Sequence, residues 1–181
     1  MEKVQGIRVL DGRRELLTET ECDFFEEKAG ERGLSAVGEQ DVVLEFGARS
    51  QNEGFARMVT AAFVSGLNPT LEELADIKTA VSEAVTNAII HAYAGAAGSI
   101  RMRLAAQNTE IIIEVADRGV GMEDVEKAME PMYTTRPELE RSGMGFAFME
   151  AFMDELEVQT KPGTGTLIRM KKRIAATEHT D

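Results

Sequence analysis

Two pairs of alternating apolar segments, each closed by a tight turn, constrain this chain more than any other feature. Residues 100–106 and 110–116 flank a turn at Gln107-Asn108, and residues 156–160 and 166–172 flank Lys161-Pro162-Gly163-Thr164-Gly165. Period-two segments joined by Asn-, Pro- and Gly-containing turns read as antiparallel hairpins. Helical patterns are interleaved with them. Ser50-Gln51-Asn52-Glu53 reads as a capping box opening a helix to about Gly66, and Thr70-Leu71-Glu72-Glu73, after Pro69, opens one to about Ala92. A strand over 42–46, a short helix over 123–128 and a helix over 144–154 complete the set. Helices interleaved with antiparallel pairs predict an α+β fold: a two-layer sandwich with a mixed, mostly antiparallel sheet packed on helices.

At 181 residues and 43% hydrophobic, the chain suits one domain with spare length. That domain is expected over 41–173, with a polar tail over 174–181. Residues 1–40 are charged and broken by Gly6, Gly12, Gly30, Gly33 and Gly38, with one amphipathic stretch over 15–28 that reads as a possible helix. They read as an extension of unknown role. No run of eighteen apolar residues and no signal-peptide core is present, and the lone Cys22 fits a reducing compartment, so a cytoplasmic protein is expected. A formal net charge of -12 repels nucleic acid and argues against direct DNA or RNA binding.

Four short motifs carry the chemistry. Glu83, Asn87 and His91 recur at i, i+4 and i+8 on the second helix, a single stripe. By itself such a stripe is more often solvated surface. Asp117-Arg118-Gly119-Val120-Gly121 follows a strand; it is either ordinary turn chemistry or a carboxylate for the amino group of adenine, with Gly119 and Gly121 letting backbone approach the base. Arg141-Ser142-Gly143-Met144-Gly145-Phe146 opens a helix, as a hinge or as a phosphate cradle of exposed N–H groups. Gly163-Thr164-Gly165-Thr166 is a turn, or places Thr166 beside the carboxylate.

In this order and spacing the four motifs resemble those of the Bergerat-fold (GHKL) ATPases. That resemblance implies ATP or ADP as ligand with Mg2+, Asn87 as the metal ligand, and Asp117 as the adenine-recognising carboxylate. Gly119 and Gly121 would lie against the base, Gly143 and Gly145 would flank the phosphates, and 131–142 would form the lid. His91 and Thr166 join the expected nucleotide contacts, as do Thr134, Thr135, Arg141 and Ser142 of the lid. Gyrase-type relatives need a transducer domain, which is not expected after Lys172. Sensor histidine kinases need a phosphoacceptor histidine on a dimerisation helix, and only His91 and His179 exist here.

Within the superfamily, the segments Ser50–Arg57, Val81–His91 and Thr134–Phe146 resemble the anti-sigma F factors of spore-forming bacteria, over about residues 41–173. The resemblance implies a homodimeric serine kinase that binds sigma factor F with ATP and inactivates its anti-anti-sigma antagonist by phosphorylation. Glu83 would be the general base and Arg57 a contact for both partners. Two other readings remain: the sister kinase of the general stress response, against which the lid segment argues, and a non-catalytic ATP-dependent binding module. The extension is expected to be dispensable for nucleotide binding, because every motif lies after it.

Overall fold

The computed structural model describes residues 5–10, 12–18, 41–93, 96–133 and 143–175. Among the described residues, seven strands form one sheet in the order β2-β1-β6-β7-β5-β4-β3: β1 (Gln5–Leu10), β2 (Arg13–Leu16), β3 (Val42–Gly47), β4 (Ser99–Gln107), β5 (Glu110–Asp117), β6 (Glu155–Lys161) and β7 (Gly165–Arg173). All the pairings are antiparallel. One face is covered by α1 (Ser50–Ser65), α2 (Leu71–Asn87) and α4 (Gly145–Phe152), while α3 (Val125–Ala128) is a single short turn near one end. The two-layer α+β sandwich expected from the hairpins is the fold observed.

Alternation decides which face each strand presents. Ile100, Met102 and Leu104 of β4, Ile111, Ile113 and Val115 of β5, and Ile168 and Met170 of β7 all join the core under the helices. Ile77, Ala80, Val81, Ala84 and Val85 meet them from α2, each fully buried. Full burial of a side chain such as Ile77 contributes about 1.5–3 kcal/mol. The other sheet face carries charges in cross-strand register. Arg103 pairs with Glu114 at 3.2 Å, Glu114 with Arg169 at 2.7 Å, Arg169 with Glu157 at 2.9 Å and Glu157 with Arg8 at 2.9 Å. Five charged residues on five adjacent strands thus alternate in sign, so each buried carboxylate has cationic neighbours.

The capping signals divide. Thr70 forms the full box: its hydroxyl accepts from Glu73 N–H at 3.1 Å, and Glu73 Oε2 accepts from Thr70 N–H at 2.7 Å. The expected box at Ser50 does not form, because Ser50 is already helical and Arg49 occupies the cap position without a side-chain bond. Glu53 instead accepts from Ser82 Oγ, tying α1 to α2. A tertiary hydrogen bond has displaced the local one. The helix expected to reach Ala92 ends as regular α at Asn87 and widens into a π-helical turn over Ala88–Ala92.

The expected helix over 15–28 is corrected at its start, since Glu15 and Leu16 are in strand β2; residues 19–28 lie outside those described. Gln5–Leu10 pairs along Glu155–Thr160, so residues well before Asp41 extend the sheet. Ile7 and Val9 point inward and are buried in the same core.

Candidate functional site

A cleft of about 600 Å³ opens between the C-terminal end of α2, the loop after β5, α3 and the start of α4. Its size is that of a small-molecule site. Of the residues singled out in the sequence, Asn87, His91, Asp117, Gly121, Gly143, Gly145 and Thr166 line it together. Thr134, Thr135, Arg141 and Ser142 lie outside the described residues. Glu83 and Gly119 are not themselves lining residues, and neither is Arg57, which is exposed on α1 and 3.6 Å from Glu53.

Asp117 is the last residue of β5 and 6% exposed. Burial pushes its carboxyl up from the ordinary 3.8 to about 6, partly opposed by hydrogen bonds from the backbone N–H groups of Gly119 and Thr166. The Gly119 bond, to Oδ1, is 2.9 Å long. Thr166 is opposite Asp117 in the β5–β7 register, and its hydroxyl is 3.1 Å from Thr160 Oγ1, which also accepts from Met122 N–H at 2.9 Å. This polar floor is built by hairpin register, and no spacing rule predicts the Thr160 member.

The two glycines of the Asp117 loop are required by close approach. A Cβ on Gly119 would lie 2.2 Å from the Ala92 carbonyl oxygen, and Val120 N–H donates to that same oxygen at 3.0 Å. The π-turn therefore presents Ala92 to the loop, a placement in keeping with the association of π-turns with functional sites. Gly121 has φ +67°, and a Cβ there would meet the Lys161 carbonyl oxygen at 2.3 Å. Gly119 is thus held against the π-turn and does not itself line the cleft.

At the opposite end, Gly145 opens α4. A Cβ on it would lie 3.0 Å from Glu83 Oε2 and 3.2 Å from Asn87 Oδ1. The backbone at the N-terminus of α4 thus meets a carboxylate and a carboxamide of α2. Exposed N–H groups at a helix start attract anions, and the amide oxygen of Asn87 can serve a hard cation. No cluster of three or more His, Cys, Asp or Glu side chains able to hold a metal occurs among the described residues. A magnesium ion here would rely on Asn87, on phosphate oxygens and on water, an arrangement that suits this cation.

The sequence reading missed one wall of the cleft. Glu123, Asp124, Lys127, Glu130 and Tyr133 line it from α3 and its flanks. Lys127 Nζ sits 5.3 Å from the centre of the Tyr133 ring, a cation–π distance. The sequence reading gave a short helix over 123–128 there and no chemistry; Asp124 caps it, its side chain accepting from Lys127 N–H at 2.9 Å.

A family model of the histidine kinase-like ATPase domain matches residues 46–172. An anti-sigma F factor of Caldanaerobacter subterraneus subsp. tengcongensis is 62% identical over 131 residues, covering 72% of this chain and 92% of its own length. The chain belongs to the anti-sigma F factor family. A second family member, from Clostridium acetobutylicum, is 54% identical over 140 residues, covering 77% of this chain and 98% of its own. The fold also matches a crystal structure of the RsbU and RsbW domains of a Mycobacterium tuberculosis protein, with TM-score 0.56 and 21% identity over 76% of this chain and 33% of that one. The matched region holds every motif lining the cleft, and a histidine kinase-like ATPase domain implies nucleotide binding. No helix among the described residues is long and apolar enough to cross a membrane.

Proposed function

We propose that this anti-sigma F family member is an ATP-dependent serine kinase that holds sigma factor F with ATP and phosphorylates its anti-anti-sigma antagonist, acting as a cytoplasmic homodimer. The observation that carries the reading is the approach of Gly145 to both Glu83 and Asn87, which joins a phosphate-attracting helix start to a base and a cation ligand. The buried Asp117 at the other end of the cleft supports adenine as the base, its carboxylate accepting from the exocyclic amino group. His91 and Thr166, both lining the cleft, are further nucleotide contacts in this reading, as are Thr134, Thr135, Arg141 and Ser142 of the lid.

In the transfer step the serine oxygen forms a bond to the γ-phosphorus of ATP. The bond from that phosphorus to the bridging oxygen breaks, ADP leaves with the electron pair, and Glu83 takes the hydroxyl proton. Gly143 and Gly145 offer backbone N–H groups to the phosphate chain. Magnesium, held through the Asn87 amide oxygen, would supply charge neutralisation. The test is transfer of labelled phosphate from ATP to a purified anti-anti-sigma protein. Phosphoserine on that protein is expected; nucleotide binding and sigma binding without any transfer would favour a non-catalytic binding module.

Arg57 is the proposed docking residue for both protein partners. Its side chain is 47% exposed, and Phe55 and Met58 are exposed large hydrophobics on the same helix. Arg57→Glu is expected to weaken both partner complexes by about 2 kcal/mol, with ATP affinity unchanged. Normal binding of both partners in pull-down titrations would remove this surface from consideration.

A further inference from the structure

The hairpin β1–β2 grips the wall of the cleft that carries Lys127. Gln5 Nε2 donates to the Glu123 carbonyl at 2.7 Å, and Gln5 Oε1 accepts from Val125 N–H at 3.3 Å. One carboxamide thus engages the backbone on either side of Asp124, the cap of α3. From the second strand, Arg14 Nη2 donates to the Met129 carbonyl at 3.1 Å, just past the end of α3. The same nitrogen lies 2.6 Å from Glu150 Oε1 of α4. Both ends of α3 are therefore tied to the hairpin.

A helix of four residues has no stability of its own, so its position is set by what it is attached to. Lys127 is the only lysine or arginine among the described residues lining the cleft, and the neighbouring charges on its wall, Glu123, Asp124 and Glu130, are acidic. In a chain of net charge -12, a polyphosphate entering this cleft meets repulsion that a correctly placed ammonium offsets. The family model begins at residue 46, so the hairpin lies outside the matched region.

We propose that the N-terminal hairpin is a positioning element of the nucleotide cleft, in which Gln5 and Arg14 fix α3 so that Lys127 meets the phosphate chain of the bound nucleotide. This rests on the reading of the cleft as a nucleotide site, and it reverses the expectation that the extension is dispensable.

The test is calorimetric titration of the full chain with Mg-ATP and with adenosine, which lacks phosphates. Gln5→Ala and Lys127→Met are each expected to weaken Mg-ATP binding about three- to tenfold, the loss of one net hydrogen bond or ion contact. Adenosine affinity should be unchanged in both, Lys127→Arg should retain Mg-ATP binding, and the double variant should be no weaker than the weaker single, because both act through one contact. Thermal melting separates this from simple destabilisation: Ile7 and Val9 keep β1 in the core, and Arg14→Ala, on the exposed strand, is a second route to the same loss. Wild-type Mg-ATP affinity in both Gln5→Ala and Arg14→Ala, or losses that add in the double variant, would overturn the proposal. A wild-type chain that binds neither Mg-ATP nor adenosine would instead overturn the nucleotide reading itself, and this inference with it.

Discussion

Gly145 leaves little room for a side chain beside Glu83: a Cβ there would stand 3.0 Å from Glu83 Oε2. The two residues are far apart in sequence and meet because α4 packs across α2. Such a contact is tighter than normal van der Waals separation, so an added methyl must push the carboxylate, and Asn87 beside it, by a few tenths of an ångström. Gly145→Ala is therefore expected to keep the fold, since alanine is the better helix former. Phosphotransfer should fall about tenfold or more, through misplaced catalytic groups. Unchanged transfer, measured with melting temperature as the control, would show that the contact has no functional weight.

Glu83→Gln separates binding from chemistry. Glutamine keeps the length and helix propensity of glutamate but cannot take a proton at neutral pH. The variant is expected to bind Mg-ATP and sigma factor normally while phosphotransfer drops by about 100-fold or more. Near-normal transfer would assign the proton elsewhere. Loss of ATP binding would mean that the carboxylate chiefly organises the metal and phosphate end of the cleft.

Asp117 gives the cleft a pH dependence. Its carboxyl titrates near 6 in the free protein, and adenine's amino group favours the ionised form, so nucleotide binding should hold above pH 6 and weaken as pH falls through it. One proton is involved, so the slope is at most about tenfold per pH unit. Because ATP itself titrates nearby, the comparison is with Asp117→Asn at each pH: the wild-type advantage should shrink on going from pH 7.5 to 5. A constant ratio would separate Asp117 from nucleotide recognition. The stability effect has the opposite sign. The folded value lies above the ordinary 3.8, so the cost of burying the charge is absent below about pH 4 and complete above about pH 6. Free Asp117→Asn should therefore melt no lower than wild type at pH 7.5 in thermal scans.

Where short-range chemistry is decisive, the sequence was sufficient. Thr70 and Glu73 cap α2 as their spacing requires, because both partners of that box lie within one turn. The two hairpins fold where Asn108 and Gly163 supply positive φ, at 54° and 72°. The order and spacing of Glu83, Asn87, Asp117, Gly143, Gly145 and Thr166 pointed to one site only through their resemblance to the Bergerat ATPase motifs, and all of them but Glu83 line the cleft. The tertiary structure decided what depends on contacts distant in sequence. Ser50 lost its capping role because Glu53 found Ser82 on another helix. Gln5–Leu10, a short alternating segment among glycines, became a strand because β6 offered it an open edge, and only that pairing brings Gln5 to α3. The raised titration of Asp117 likewise required burial beside a loop held by hydrogen bonds to Ala92 and Gly163. Local sequence fixes torsions and periodicity, whereas desolvation and long-range pairing exist only once the whole sheet is assembled.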